Sequence, residues 1–180
     1  MEISKDLISK CCGDNRRAHN ELYKQLFSYV MSICLRYTKN QQDAGNALNE
    51  VMFKVITNLK KYDTSKPFLP WVKTITIHQL IDLNRKQTKY EEVQYAPEHE
   101  NVAFSFNLSD IEFRDILKLV AELPEATAQV FNLYIIDGYN HKEIGAMLNL
   151  SQGTSKWHLH KAREILKVKL QHENRKAGQI

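Results

Sequence analysis

Leu123 to Leu166 reads LPEATAQVFNLYIIDGYNHKEIGAMLNLSQGTSKWHLHKAREIL, and this stretch decides the fold. Asn140 stands three residues before Glu143, the spacing of a capping box, in which a side-chain acceptor meets free helix N–H groups and a carboxylate reaches back. Ile144, Met147 and Leu148 then fall at helical spacing and predict one apolar face. Ser151 is placed to cap a second helix. In that helix Ser155, Leu159, Ala162 and Leu166 share one side. A capped short helix, a tight turn at Leu150-Ser151 and a basic helix predict a DNA-binding helix-turn-helix.

At about 100° per residue, the face opposite Leu159 carries Gly153, Lys156, Trp157 and His160, flanked by Lys161 and Arg163. Lysine and arginine there can reach phosphates or guanine edges. Trp157 can pack on a sugar or a thymine methyl. The alternative is an ordinary solvated helix with a charged outer face. Charge separates the two ends of this part of the chain. Residues 151–180 hold seven Lys/Arg against two Asp/Glu, a net +5, whereas residues 110–150 hold three against seven, a net −4. The basic end suits a polyanion. The acidic end suits a basic protein surface, or solubility alone.

The whole chain has 180 residues and a net charge of +4, so a nucleic-acid function needs local clustering of charge. Few glycines and prolines and a dominant helical period predict an all-α class. Cys11, Cys12 and Cys34 make an odd set without zinc-ligand spacing, which points to a reducing compartment and no metal. The polar start MEISKDLISK is no signal peptide, and no apolar run approaches membrane-spanning length. A cytoplasmic protein is expected.

The period predicts helices over Ser4–Cys12 (Leu7, Ile8 and Cys11 inward), Arg16–Thr38, Asp43–Leu59 and Trp71–Lys86. Lys60 to Pro70, KKYDTSKPFLP, reads as a basic loop with Tyr62 and Phe68 between lysines and prolines. Aromatics among lysines can stack bases, as single-strand binders do. Trp71 reads more readily as core, which leaves Tyr62, Thr64 and Lys66 as the better contacts. Residues 1–87 carry a net +6, and residues 88–109 a net −3 without a steady period. The expected layout is a helical domain over 1–87, a flexible linker over 88–109 and a helix-turn-helix domain over 110–175. Further helices are expected from Asp110 to Ala121, with Ile111, Ile116, Leu117 and Val120 inward, and from Glu125 to Ile136, with Pro124 in a first turn.

No catalytic constellation emerges. There is no glycine-rich phosphate loop, no His-Glu-x-x-His and no nucleophile elbow. His158 and His160 are two apart and point to different helix faces. No enzyme activity, cofactor or small-molecule substrate is expected.

The chain resembles the extracytoplasmic-function sigma factors, the smallest group of the sigma-70-like bacterial transcription initiation factors. The C-terminal motifs are Leu123-Pro124, Phe131, Gly138-Tyr139, Glu143-Ile144, Ser151-Gln152-Gly153-Thr154 and Ala162-Arg163. The N-terminal match is NALNEVMFKVITNLKKYD followed by FLPWVKTITIHQLIDLNRK. It carries Asn49-Glu50-Val51-Met52-Phe53, Trp71, Ile81-Asp82 and Arg85-Lys86. Both matches, in this order, span nearly the whole chain.

The resemblance implies binding to RNA polymerase core, at clamp and flap surfaces, recognition of promoter DNA and help in opening the duplex. It implies clamp contact through Asn46, Asn49, Glu50 and Phe53. For the downstream (−10) element it implies Tyr62, Thr64, Lys66, Trp71, Lys73, Asn84, Arg85 and Lys86. For the upstream (−35) element it implies Ser151, Gln152, Thr154, Lys156, Trp157, His160, Lys161 and Arg163. An anti-sigma factor is an implied partner. The chain departs from the family's usual form at Gly45-Asn46, where an acidic pair is common, at Asn49 (Gln), at His78 (Asn) and at Ser155 (Val). Competing readings are a stand-alone helix-turn-helix regulator with a helical sensor domain, and a helical adaptor without DNA contact.

Overall fold

The computed structural model describes residues 3–13, 15–91 and 111–177, and all their regular elements are helical. They fall into two compact units that divide between Val102 and Ala103. The N-terminal unit holds α1 (Lys5–Cys11), α2 (Arg16–Tyr37), α3 (Gln41–Asn58), a 3₁₀ turn over Leu59–Lys61, and α4 (Phe68–Glu91). The C-terminal unit holds α5 (Ile111–Ala121), α6 (Glu125–Phe131) with a π turn over Asn132–Ile136, α7 (His141–Leu148) and α8 (Gln152–Ala177). Residues 92–109, most of the expected linker, lie outside the described residues, as does Asp110.

Local caps set the starts of the first three helices. Ser4 Oγ accepts from Leu7 N, Asn15 Oδ1 from Arg17 N and Ala18 N, and Asn40 Oδ1 from Asp43 N. In the N-terminal unit α2, α3 and α4 pack on one another around Leu22, Leu26, Val30, Leu48, Val51, Met52, Val55, Val72, Ile77 and Leu80. Cys11 and Cys34 are buried there, and burial pushes both thiols up, Cys34 to about 12. They therefore pack as small apolar groups and stay protonated. No helix among the described residues is long and apolar enough to cross a membrane.

Several expectations need correction. The fourth helix starts at Phe68, three residues before Trp71, because Pro70 sits in the first turn where an N–H has no intrahelical partner anyway. The same helix runs on to Glu91, so residues 88–91 are helical where a linker is expected. Pro124 is the N-cap of α6 in an extended conformation, one place before the first turn. That helix also does not stay α-helical to Ile136. Asp137 N donates to Asn132 O, a wider turn that leads into Gly138 at φ +82. Ile116, expected in the core, is 39% exposed. Leu7, Tyr29, Ile56, Trp71, Ile75, Leu117, Met147 and Leu148 are half-buried.

Candidate nucleic-acid interface

The C-terminal unit builds a helix-turn-helix from short-range chemistry. Asn140 Oδ1 accepts from Lys142 N and Glu143 N, both at 3.0 Å, and Glu143 Oε2 accepts from Asn140 N at 2.8 Å. The capping box is thus complete. At the other end of α7, Asn149 turns left-handed at φ 56, and Leu150 N donates to Gly145 O at 2.9 Å. A Cβ on Gly145 would lie 2.6 Å from Leu150 O, so only glycine lets the turn pass this close. Ser151 Oγ then accepts from Thr154 N at 3.0 Å and opens α8.

The seam of α8 is buried at Ser155, Leu159, Ala162 and Leu166, as its period predicts. Two histidine hydrogen bonds join α8 to its neighbours. His141 Nδ1 pairs with Ser155 Oγ at 2.9 Å, and the imidazole stacks on Tyr134 with ring centroids 4.5 Å apart. His158 Nδ1 pairs with Thr127 Oγ1 at 3.0 Å. Both histidines are held below the usual value of 6.5. Burial is the main cause for each, and for His141 the nearby Lys156 and Arg163 charges add to it.

Outside the seam, Gln152, Lys156, Trp157, His160, Lys161 and Arg163 are all exposed. Trp157 is 57% exposed, large for an indole, and rests edge-on against His158 at 4.9 Å. Glu164 lies 3.6 Å from both His160 Nε2 and Lys161 Nζ. Ser151 and Thr154 are exposed, but their hydroxyls already bond each other at 2.8 Å, so both side chains serve the cap. The exposed surface of α8 is thus basic and aromatic, with Glu164 between His160 and Lys161 as its acidic member.

In the N-terminal unit the segment after the 3₁₀ turn is ordered by its own side chains. Asp63 Oδ1 accepts from Ser65 N at 3.0 Å and Ser65 Oγ at 2.7 Å, which holds the Asp63 carboxyl below the usual range. Tyr62 OH donates to Lys66 O. The Tyr62 ring packs on Phe68 (5.1 Å) and Trp71 (5.0 Å), and those two rings meet at 5.6 Å. Tyr62 and Trp71 thus form one half-buried cluster, with Phe68 buried behind it. Thr64 and Lys66 stand exposed beside it. Lys73 is half-buried. Asn84 Nδ2 donates to Tyr37 O at 3.0 Å, a bond that ties α4 to the end of α2. Arg85 is exposed and pairs with Asp82 at 2.9 Å, and the Lys86 side chain lies outside the described ones.

On α3, Asn46, Asn49, Glu50 and Phe53 share the outer face, opposite the buried Ala44, Ala47, Leu48 and Val51. Phe53 is 69% exposed. Asn49 Oδ1 accepts from Tyr23 OH at 3.0 Å, and Glu50 Oε2 accepts from Gln79 Nε2 at 2.6 Å. Sequence reasoning missed Tyr23, Gln79, Thr127, His141 and His158. Their partners are 14 to 31 residues away, beyond any local pattern. Gln79 alone left a signal, a polar residue beside Leu80 where the helical period runs through the core.

Comparison with known proteins bears on both units. A model of sigma-70 region 2 matches residues 22–90, and one of sigma-70 region 4 matches residues 113–166. The chain is 25% identical over 162 residues to the ECF RNA polymerase sigma factor SigM of Bacillus subtilis, covering 83% of this chain and 93% of that one. It is 27% identical over 158 residues to SigW of the same organism, covering 78% and 82%. Among solved structures, the sigma factor RpoE of Bartonella quintana, crystallised with the anti-sigma factor NepR, shares the fold with a TM-score of 0.60. Its identity is 13%, over 84% of this chain and 96% of that one.

Proposed function

The chain belongs to the sigma-70 family, with a region 2 and a region 4, and on that premise we propose the division of labour between its surfaces. It is a transcription initiation factor that binds RNA polymerase core, directs it to specific promoters and assists their melting. The observation that carries the promoter role is the exposed face of α8: five basic or aromatic side chains, Lys156, Trp157, His160, Lys161 and Arg163, on a helix that Ser151 caps and that follows the capping-box helix α7 across a tight turn. This face reads the upstream element.

The cluster of Tyr62 and Trp71, with Thr64 and Lys66 beside it, meets the downstream element. Its aromatic surface suits a base leaving the stack, at a stacking gain of about 1–3 kcal/mol per base. Lys73 and Arg85 on α4, with Lys86 next to Arg85 in the sequence, are the phosphate contacts of this reading, while Asn84 serves mainly to fix α4 against α2. The polymerase meets α3 through Asn46, Asn49, Glu50 and Phe53. An anti-sigma factor, as in the Bartonella complex, would regulate the chain by covering these surfaces. The layout of domains is 1–87, 88–109 and 110–175, with the first helical domain carried on by α4 to Glu91.

A pull-down of core polymerase followed by run-off transcription on genomic fragments tests the function. Polymerase binding with promoter-dependent transcripts is the expected result. Duplex binding by the chain alone, as a dimer and without polymerase, would instead favour a stand-alone regulator.

A further inference from the structure

Gln79 stands on α4 at a position buried against α3, and the residue is only 5% exposed. Its Nε2 donates to Glu50 Oε2 at 2.6 Å. Its Oε1 is buried and has no hydrogen-bond partner among the described residues. A buried acceptor without a partner opposes folding, and an apolar side chain of similar volume would avoid that penalty. Turning the amide over gives no relief, because Oε1 would then face the Glu50 carboxylate, which can only accept. What the glutamine supplies is a fixed carboxylate on an otherwise exposed face. The same face repeats the device one residue away, where Tyr23 OH holds Asn49.

We propose that Gln79 is a positioning residue for polymerase docking: it holds the Glu50 carboxylate ready for a basic side chain of the polymerase core. The proposal rests on the reading of the α3 face given above. A carboxylate whose second oxygen is already engaged presents its first in one direction, which suits a guanidinium or ammonium donor. Ordering Glu50 in the free protein lowers what docking must order later.

The test measures affinity of the full chain for core polymerase in Gln79→Met, Glu50→Ala and the double variant, below the melting temperature of each. Gln79→Met is expected to weaken binding about two- to tenfold, the cost of ordering one long side chain. The double variant is expected to bind no more weakly than Glu50→Ala, because Gln79 acts through Glu50. Should Gln79→Met fail to fold, Gln79→Ala serves in its place and is expected to weaken binding likewise, since it too removes the donor to Glu50. Loss in Glu50→Ala with no loss in the Gln79 variant overturns the positioning role. Additive losses do the same, since a merely structural effect would act equally in both backgrounds. Unchanged binding by Glu50→Ala overturns the docking reading of Glu50 itself, and the positioning role with it.

Discussion

Gly145 and Gly45 show how one residue type takes opposite roles at two positions. At Gly145 an added methyl would strike the Leu150 carbonyl oxygen of the tight turn. Backbone cannot step aside as a flexible side chain can. Gly145→Ala is expected to lower stability of the C-terminal unit by about 1–3 kcal/mol, read as an earlier melting transition. At Gly45 a Cβ would meet nothing within 4 Å. There the glycine only weakens the interior of α3, so Gly45→Ala is expected to raise stability by about 0.5–1 kcal/mol in urea denaturation. An unchanged or lowered midpoint would mean that the site tolerates no side chain after all. The cost of Gly45 to a helix follows from its residue type alone, whereas the open space around it and the necessity of Gly145 do not, because the neighbouring atoms belong to other parts of the chain.

At the scale of elements, α8 is held by an apolar seam and two histidines. The seam Ser155, Leu159, Ala162 and Leu166 followed from the helical period, and all four residues are buried. The histidine bonds to Thr127 and Ser155 did not follow, because they cross between helices. Both histidines have folded-state pKa values below the usual one, so the unfolded chain binds protons more readily. Their contribution is therefore fully present above about pH 6.5 and is lost as pH falls through the folded values. Melting of the C-terminal unit is expected at lower temperature at pH 5.5 than at pH 7.5. His141→Gln combined with His158→Gln is expected to flatten that difference, and an equally steep profile in the double variant would remove the histidines as its source. In the N-terminal unit the analogous surprise is α4. Its first turn passes Pro70, and this brings Phe68 and Trp71 around to meet Tyr62. The loop aromatics were legible as a group, but their mutual packing was not.

At the scale of the molecule, the net charge of +4 is small because basic segments alternate with acidic ones. Few phosphates are neutralised by either unit alone, so the free chain is expected to bind DNA weakly. Docking both units on one polymerase replaces two weak encounters by one tethered encounter at high effective concentration. Lys156→Ala with Lys161→Ala removes two exposed cations from α8. In upstream-element binding the salt dependence, log K against log salt, is expected to flatten by about 2, at an unchanged melting temperature. An unchanged slope with native transcription would move DNA contact off this face.

The sequence by itself determined the helical class, the caps at Asn140 and Ser151, the buried seam of α8 and the outward position of its basic residues. These depend on neighbours three or four places away, which the helical period brings together in any context. Tertiary structure alone decided that Tyr62 and Trp71 share one cluster, that Asn84 binds Tyr37, that His141 and His158 hold α8, and that Gln79 reaches Glu50. Each of these joins two elements separated along the chain. Such pairs exist only after both helices have packed, and a hydrogen bond's partner at that range is chosen by geometry that no local spacing encodes.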